Sequence, residues 1–526
     1  MIKKTILNLE GKNILPLIVA VVMGLISLFL GQDMNGDIWN YHLYNAYAYL
    51  NNRMLYDIGP AGAHSYFNPY LDTFNYEVIT HLRPRLAAFV FGFIQGLIAY
   101  PIYFLSRYFI KNKPASLLVF FICCFGSSFF LGELGTSIND NIISIPILWS
   151  LYLLLKYFDT LEFRFVIYSG LLVGISFGLK LTAATYIITI WAMILVFSKA
   201  RIRASFYFLV SSAFSVIAVS GYWYYQLYAA FKNPLFPFFN NIFHSPYAST
   251  ARNVTRDMRF FQFHGLEKIL YPFYFADHVD RVAEDPKLFL INALICFVLF
   301  LVYVSSKITS GGIKSLAGTK LNYLIVFFFV SFYVWQYNFG VYRYFIPTDI
   351  ISPILIYCMI GEICAVQRSA PRGSAAVAVF LTLVIVSLNF TKGIPNWGRG
   401  QYTFPYFSGN VPQEIKEADI IFTGSYFSAW IVPIIDPKGH VIQINRGLFD
   451  FGTLQYWNRY YEFAKNDSKK YIIFSDLNDS WSKNWAVSKL HDYYKLKIDF
   501  SSCKSFDVRV SNVKGTQFYC RVENDE

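Results

Sequence analysis

The first long polar stretch of the chain combines a carboxylate, an imidazole and several aromatic rings. It covers residues 36–50 and reads as an aromatic, amphipathic helix lying along a membrane surface. Asp37, Tyr41 and Asn45 share one face at helical spacing, and His42 adjoins them. A carboxylate at a membrane surface can take the proton of a hydroxyl group, so this stretch could supply a general base.

Three later polar segments interrupt apolar runs and carry further ionisable side chains. Glu133 and Asp140 lie in one hairpin, and Lys180 lies in a tight turn between two apolar segments. Arg343 follows Tyr342 in another turn. Arg suits phosphate because its fork matches the phosphate oxygens and stays charged. A lysine within a span is costly, so Lys180 is a second candidate for binding an anion.

These polar segments are set in an unusually apolar chain. Of 526 residues, 55% are hydrophobic, 20% are aromatic and only 15% are charged. Soluble proteins of this length rarely have such a composition. The net charge of +12 would suggest nucleic-acid binding in a soluble protein. Here the basic residues lie in short loops between apolar runs, so we expect a protein of the lipid bilayer with no nucleic-acid partner.

Eleven apolar segments are long enough to cross about 30 Å of hydrocarbon as helices. The first follows Lys3, Lys4 and Lys12 and lacks a small-residue cleavage site, so we expect a retained span rather than a removed signal peptide. The fold class predicted is an α-helical polytopic membrane protein with about 11 transmembrane helices. The predicted spans are residues 13–31, 85–106, 115–132, 141–157, 163–179, 182–198, 205–228, 287–305, 321–338, 345–365 and 374–391.

Basic residues predict the orientation, because Lys and Arg accumulate in cytoplasmic loops. With the N-terminus in the cytoplasm, every predicted inner loop is basic. Loops 32–84 and 229–286 and residues 392–526 then lie outside the cytoplasmic (inner) membrane, and they contain all eight histidines. The loop residues concerned are Arg107, Lys111, Lys113, Lys156, Arg164, Lys199, Arg201, Arg203, Lys307, Lys314, Lys320, Arg368 and Arg372.

Residues 392–526 have the pattern of a small α/β domain, separate from a membrane module of residues 1–391. No glycine-rich nucleotide motif occurs in it, so we assign it no nucleotide. Outside the cytoplasm, Cys503 and Cys520 are expected to form a disulfide. The predicted strands are residues 419–424, 440–445 and 470–476, and the predicted helices are residues 453–466 and 482–493.

The order of these features resembles the GT-C superfamily of membrane glycosyltransferases, which includes protein O-mannosyltransferases and lipid A aminoarabinose transferases. The resemblance covers the architecture of the whole chain. At residue level it rests on Asp37 after the first span, the Glu133 to Asp140 segment, and the cluster Tyr342-Arg343-Tyr344. It implies transfer of a sugar from a polyprenyl-phosphate donor to a hydroxyl of a glycan, lipid or protein. The reaction would take place on the extracytoplasmic face, as in polysaccharide biosynthesis of the cell envelope.

The resemblance also implies a role for each polar segment. Asp37 matches the catalytic aspartate of the family and would be the general base. Glu133 and Asp140 match a second acidic site that contacts the acceptor or a metal, and no ligand spacing decides whether a divalent metal is needed. Arg343 matches a late arginine that binds the lipid phosphate, and Lys180 would join it. We expect these five residues to converge on one donor. The expected supporting residues are Tyr41, His42, His64 and Tyr342.

Each assignment has a structural alternative. Asp37 and Asp140 could cap helices, Lys180 could reach toward an interface, and Arg343 could pair with Asp349. Two other functions also stay open. A polymerase or ligase of lipid-linked oligosaccharides would usually have its active loop late in the chain. A lipid or polysaccharide transporter (a flippase) would carry ionisable residues near the middle of the membrane.

Overall fold

The structure is a computed structural model in which long helices dominate and a mixed sheet forms near the C-terminus. The residues that it describes are 14–251, 257–261, 263–284, 290–309, 320–366, 374–391, 393–425, 428–444, 451–466 and 468–525. Part of the basis for the predicted orientation lies outside these residues, namely Lys3, Lys4, Lys12, Lys314, Arg368 and Arg372.

Each apolar segment predicted as a span contains a helix over much of its length. The bounds of these helices are Ile14–Leu30, Pro84–Gly96 followed by Ala99–Phe109, Lys113–Phe125, Asp140–Thr160, Phe163–Leu179, Ala184–Phe197, Arg201–Phe231, Asn292–Thr309, Leu321–Asn338, Ile346–Val366 and Ser374–Leu388. The segments between them contain a further helix, Tyr70–His81. They also contain short helical turns, at Gly62–Tyr66, Ser128–Glu133, Leu181–Ala183, Asn240–Phe243, Met258–Phe260, Gly265–Lys268, Tyr271–Phe275, Val279–Arg281 and Tyr342–Phe345.

Four helical stretches of the described residues are long and apolar enough to cross a membrane. They are Pro84–Phe109, Asp140–Thr160, Arg201–Phe231 and Tyr342–Ala365. Shorter apolar helices of 10–17 residues accompany them. The chain therefore has several helices that could span a bilayer, and the count of about eleven stays a prediction.

The described residues divide into two compact units. The helical unit falls within Met1–Phe29, Phe89–Val219 and Met258–Trp397. The sheet unit falls within Leu30–Ala88, Ser220–Asp257 and Gly398–Glu526. This division differs from the predicted one, in which the two outer loops belonged to the membrane module. Loop 32–84 groups with the sheet, and loop 229–286 is divided between the units.

Small residues bring the first helix of the helical unit against its neighbour. A Cβ added at Gly92 would lie 2.6 Å from Ser27 Oγ, and one added at Gly96 would lie 2.7 Å from Ala20 Cα. Helices in a membrane associate through such small residues, because lipid supplies no hydrophobic driving force between helices. The first helix therefore packs within the helical unit, and its retention as a span stays a prediction.

The sheet unit contains a six-stranded mixed sheet and a separate two-stranded pair. The strands are β1 (Gln32–Asp33), β2 (Arg399–Gly400), β3 (Phe407–Gly409), β4 (Ile420–Thr423), β5 (His440–Gln443), β6 (Lys470–Phe474), β7 (Leu496–Val510) and β8 (Val513–Asn524). The large sheet has the order β3-β7-β8-β6-β4-β5, and β5, β4 and β6 run parallel. These three are the predicted strands, and all are buried.

The sequence did not predict the antiparallel hairpin of β7 and β8, most of whose side chains are partly or fully exposed. Cys503 and Cys520 form a disulfide that joins these two strands. The predicted helix over residues 482–493 appears as Ser480–Tyr494. The predicted helix over residues 453–466 is broken into three short turns, Leu454–Trp457, Asn458–Tyr460 and Tyr461–Lys465.

The aromatic helix that follows the first apolar helix is largely buried by other parts of the chain. It comprises a π-helical turn, Ile38–His42, that continues as Leu43–Leu50. Trp39 packs edge-on against Trp430 at 4.7 Å, and Tyr47 donates a hydrogen bond to Asp436. The C-terminal region therefore covers part of this helix, and its predicted position along a membrane surface stays a prediction.

Candidate functional site

The carboxylate of Asp37 follows a hydrogen-bonded turn that opens the buried helix. Asp33 Oδ1 accepts hydrogen bonds from the Asn35 backbone N–H at 3.1 Å and from its side-chain amide at 2.7 Å. Asn35 Oδ1 in turn accepts from the backbone N–H groups of Asp37 and Ile38, at 2.8 and 3.0 Å. Asn35 therefore caps this helix, whereas the Asp37 side chain makes no capping hydrogen bond.

A single π-helical turn places the Asp37 carboxylate beside an imidazole. The turn covers Ile38–His42, and a π-helix brings residues i and i+5 together. Asp37 Oδ2 lies 4.0 Å from His42 Nε2. On the other side of the ring, His42 Nδ1 lies 2.6 Å from Asp72 Oδ1. We name Asp37, His42 and Asp72 the carboxylate–imidazole cluster.

Burial differs sharply among the three members of this cluster. The His42 and Asp72 side chains are 4% and 3% exposed, while Asp37 is 20% exposed. Asp72 stands in the first turn of helix Tyr70–His81, where the helix dipole favours a carboxylate. In this cluster Asp72 and His42 are therefore buried, and Asp37 is the accessible carboxylate.

Two of the expected supporting residues pack around His42. The Tyr41 ring is stacked on His64 at 5.2 Å and lies 4.2 Å from the His42 ring. The His64 ring contacts Asn40, whose side-chain nitrogen lies 3.2 Å from Nδ1, and Asn45 donates to the His64 carbonyl at 2.9 Å. Tyr41, His42 and His64 thus lie in one region of the sheet unit, near Asp37.

The other four expected site residues lie in the helical unit, where two cations meet two carboxylates. Lys180 Nζ lies 2.6 Å from Asp140 Oδ1. Arg343 Nε lies 3.9 Å from Asp140 Oδ2 and 3.7 Å from Glu284 Oε1. We name Asp140, Lys180, Glu284 and Arg343, together with Glu133, the ionic cluster. Asp140 is the first residue of a long helix whose N-cap residue is Asn139, and its carboxylate forms an ion pair with Lys180.

Glu133 is the most deeply buried member of the ionic cluster. Its side chain is fully buried, and neither carboxyl oxygen has a hydrogen-bond partner among the described residues. Burial and then the negative charge of Asp140 raise the pKa of Glu133 well above its usual range, against the influence of Arg343 and Lys180. Glu133 therefore holds its proton more tightly than an exposed glutamate would.

The Tyr344 ring packs against both cations of the ionic cluster. Lys180 Nζ lies 5.2 Å and Arg343 Cζ 5.3 Å from its centroid, within cation–π range. Tyr186 anchors the segment by donating to the Tyr344 carbonyl at 3.2 Å. The side chains of Lys180 and Arg343 remain 18% and 12% exposed. This arrangement holds two partly accessible cations side by side, which suits an anionic ligand.

Tyr342, the remaining expected supporting residue, belongs to a different network. It is fully buried and donates to Asp349 Oδ1 at 2.8 Å. Asn292 donates to the same oxygen at 3.2 Å, and Asn389 donates to Asn292 at 2.8 Å. Tyr342 therefore fixes the helices behind Arg343, and Asp349, the alternative partner for Arg343, is occupied by these donors.

Two members of the clusters, Asp72 and Glu284, were not selected from the sequence, and neither was Tyr344, which packs against the ionic cluster. Asp72 is a single carboxylate in a turn-rich segment, and Glu284 is one of several acids in a long loop. Tyr344 was noted only as a neighbour of Arg343. The contacts that mark these residues as part of a site are with residues distant in the chain. Of the three, Asp72 alone had a local feature that could have pointed to it, its position in the first turn of a helix.

The described residues contain no group of three or more His, Cys, Asp or Glu side chains that could hold a metal ion. This finding does not test the divalent metal that the resemblance suggests, and metal dependence stays an open alternative. No family model matches the chain, and no curated protein matches it. The functional assignment accordingly depends on the geometry of the two clusters and on the resemblance drawn from the sequence.

Proposed function

We propose that this chain is a glycosyltransferase of the GT-C type with about 11 transmembrane helices. It transfers a sugar from a polyprenyl-phosphate donor to an acceptor hydroxyl on the extracytoplasmic face of the inner membrane. The observation that supports this most directly is the placement of Asp37. It is the accessible carboxylate of a cluster whose other two members, His42 and Asp72, are buried. That is the arrangement expected of a general base.

The chemistry assigned to Asp37 is removal of the acceptor proton. As the acceptor oxygen attacks the anomeric carbon, its proton passes to the Asp37 carboxylate. The bond between the anomeric carbon and the phosphate oxygen breaks, and its electron pair leaves with polyprenyl phosphate. One carbon–oxygen bond forms as one breaks. The resemblance to the family implies a single displacement, in which attack from the side opposite the leaving phosphate inverts the anomeric centre.

The ionic cluster is assigned to the phosphate of the donor. The leaving phosphate gains negative charge as its bond to the sugar breaks, and fixed cations stabilise this charge most strongly. Lys180 and Arg343 supply two such cations. Asp140 contacts both of them and Glu284 contacts Arg343, so their positions are set before the ligand arrives. In this proposal Asp140 orients cations, and Glu133 is the acid left to contact the acceptor.

Asp37→Asn tests the base, because asparagine keeps the shape of the side chain and cannot accept the proton. The purified protein in lipid nanodiscs would be given a panel of radiolabelled polyprenyl-phosphate sugars together with cell-envelope extract as acceptor. We expect transfer to fall by a factor of about 100 or more, with undecaprenyl phosphate still bound. If Asp37→Asn transferred sugar at the wild-type rate, the assignment of Asp37 as general base would be overturned.

The same preparation separates the alternative functions. Undecaprenyl phosphate should bind, whereas undecaprenol, which lacks the phosphate, should not compete with it. Consumption of lipid-diphosphate oligosaccharides without use of the monophosphate sugars would instead identify a polymerase or ligase. Movement of labelled lipid across proteoliposomes without any glycosylated product would identify a flippase, and either result would contradict the proposal.

A further inference from the structure

The contact between His42 and Asp72 is one of the shortest polar contacts in the sheet unit between side chains distant in sequence. Their atoms Nδ1 and Oδ1 are 2.6 Å apart, and both side chains are nearly excluded from solvent. A separation this short is typical of a hydrogen bond in which an ionised group takes part. Asp72, in helix Tyr70–His81, therefore sets the tilt of the His42 ring and determines which ring nitrogen points toward Asp37.

The charges around His42 are mostly negative. Asp37 faces Nε2, Asp72 faces Nδ1, and Asp33 stands behind Asp37 through the Asn35 side chain. His64 is the other imidazole nearby, stacked on Tyr41. The helical turn Ala429–Ile431, which packs against the same segment, contributes Trp430 and no ionisable side chain. Since one carboxylate lies 2.6 Å from Nδ1 and another 4.0 Å from Nε2, the positive charge of a protonated imidazole is stabilised from both sides of the ring.

We infer that Asp72 is a positioning residue that acts through His42, holding a cationic imidazole against Asp37 so that this carboxylate stays ionised and oriented for proton abstraction. The inference rests on the proposed function and extends it to a residue that does not touch the substrate. Asp72 restricts the rotation of the imidazole ring, and His42 supplies the positive charge. Of these three residues, Asp37 is the one that contacts the acceptor.

This arrangement predicts a specific change in pH dependence. The acid limb of the profile of kcat/KM reports protonation of the essential carboxylate in the free enzyme. Removing a neighbouring positive charge makes that carboxylate easier to protonate, so the limb moves to higher pH. Asp72→Asn weakens the charge on His42 while keeping a hydrogen-bond acceptor, and His42→Gln removes the charge altogether. Both variants should move the acid limb of the kcat/KM profile to higher pH, and the shift should be larger for His42→Gln.

The rate at the pH optimum should fall as well, because the base loses its fixed orientation. We expect a loss in kcat of about 10- to 100-fold, with KM for the donor little changed. The double variant should lose no more than His42→Gln alone, since Asp72 acts only through the ring. A purely structural role for Asp72 would instead lower the yield of folded protein and leave the position of the acid limb unchanged.

An exposed pair of the same chemistry provides the matched control. Glu77 and His81 lie 3.1 Å apart on the same helix as Asp72, with side chains 49% and 71% exposed. Glu77→Gln and His81→Gln should leave both the rate and the acid limb at wild-type values. Melting temperatures and gel-filtration profiles would show that each variant is folded.

The outcomes distinguish this inference from the proposed function. If Asp37→Asn is inactive while Asp72→Asn and His42→Gln keep the wild-type rate and acid limb, the positioning role is wrong and the base assignment stands. If Asp37→Asn is fully active, the base assignment itself fails. A shift of the acid limb in both folded variants supports the positioning role.

Discussion

Lys180 Nζ lies 2.6 Å from Oδ1 of Asp140, a residue 40 positions earlier in the chain. The Asp140 side chain is 5% exposed and that of Lys180 is 18% exposed, so neither charge is well hydrated. An unpaired charge in such a place is costly, and pairing removes most of that cost. An anion that binds Lys180 must therefore share this cation with Asp140.

This competition predicts opposite effects for the two partners. Lys180→Met should weaken binding of undecaprenyl phosphate by about 10- to 100-fold, the loss of one charged hydrogen bond. Asp140→Asn should strengthen it, because the lysine no longer shares its charge. Binding would be measured by titration in nanodiscs. Equal weakening by both variants would contradict the assignment of Lys180 to the phosphate.

Lys320 offers a matched control for the lysine variant. It pairs with Asp159 at 3.0 Å, and both side chains are more than one-third exposed. The pair is outside the ionic cluster, so Lys320→Met should leave the affinity for undecaprenyl phosphate unchanged.

Arg343 is expected to be sensitive even to a substitution that keeps its charge. Its guanidinium is held between Asp140 and Glu284 and lies 5.3 Å from the Tyr344 ring. Lysine carries the charge but lacks the planar fork that matches carboxylate and phosphate oxygens. Arg343→Lys should therefore reduce transfer nearly as much as Arg343→Gln. Full activity of Arg343→Lys in the nanodisc assay would show that charge alone is needed.

A buried ion pair connects loop 32–84 to the sheet. Arg53 Nη2 lies 2.7 Å from Asp57 Oδ1, and Arg53 also donates to the carbonyls of Pro437 and Gly439. Val441 N donates to Asp57 Oδ1 at 2.8 Å. Burial raises the pKa of Asp57 to about 6, so this carboxyl is ionised at pH 7.5.

Asp57→Asn should therefore destabilise the protein strongly, because it leaves the Arg53 charge buried without a counter-charge. Removal of one partner of a buried pair costs about 3–5 kcal/mol. The measurement is the midpoint of thermal unfolding at pH 7.5. The exposed pair of Lys438 and Glu417, 3.8 Å apart, is the control. Glu417→Gln should leave the unfolding midpoint close to the wild-type value, because an exposed pair contributes little to stability. A similar loss in both variants would contradict the structural role of Asp57.

The disulfide between Cys503 and Cys520 closes a segment with a sequence separation of 17. It joins β7 and β8 next to the irregularity in their pairing between Asp499 and Lys504. Replacing both cysteines by serine should lower the free energy of unfolding by about 3 kcal/mol. Chemical denaturation with and without reductant would measure this loss. If reductant destabilised the wild type and the double variant equally, the disulfide would not be the cause.

The local pattern of the sequence was enough to locate most of the helices and the parallel strands. Long apolar runs became helices, and the runs at β4, β5 and β6 became buried strands. These elements follow from hydrophobicity over consecutive residues, which the sequence contains directly. The hairpin of β7 and β8 was missed because its many polar and exposed residues resemble a solvated segment until the partner strand is known.

The sequence by itself determined which residue types are available for chemistry: a carboxylate after the first apolar segment, a hairpin with two carboxylates, and single cations between apolar segments. The tertiary structure decided their partners. Ordinary helical spacing predicted that Asp37 shares a face with Tyr41, whereas a π-helical turn sets it beside His42, five residues on. Asp72, which holds that ring, lies 30 residues further along. Contacts at such separations depend on the path of the chain and on burial, and neither is encoded in local periodicity.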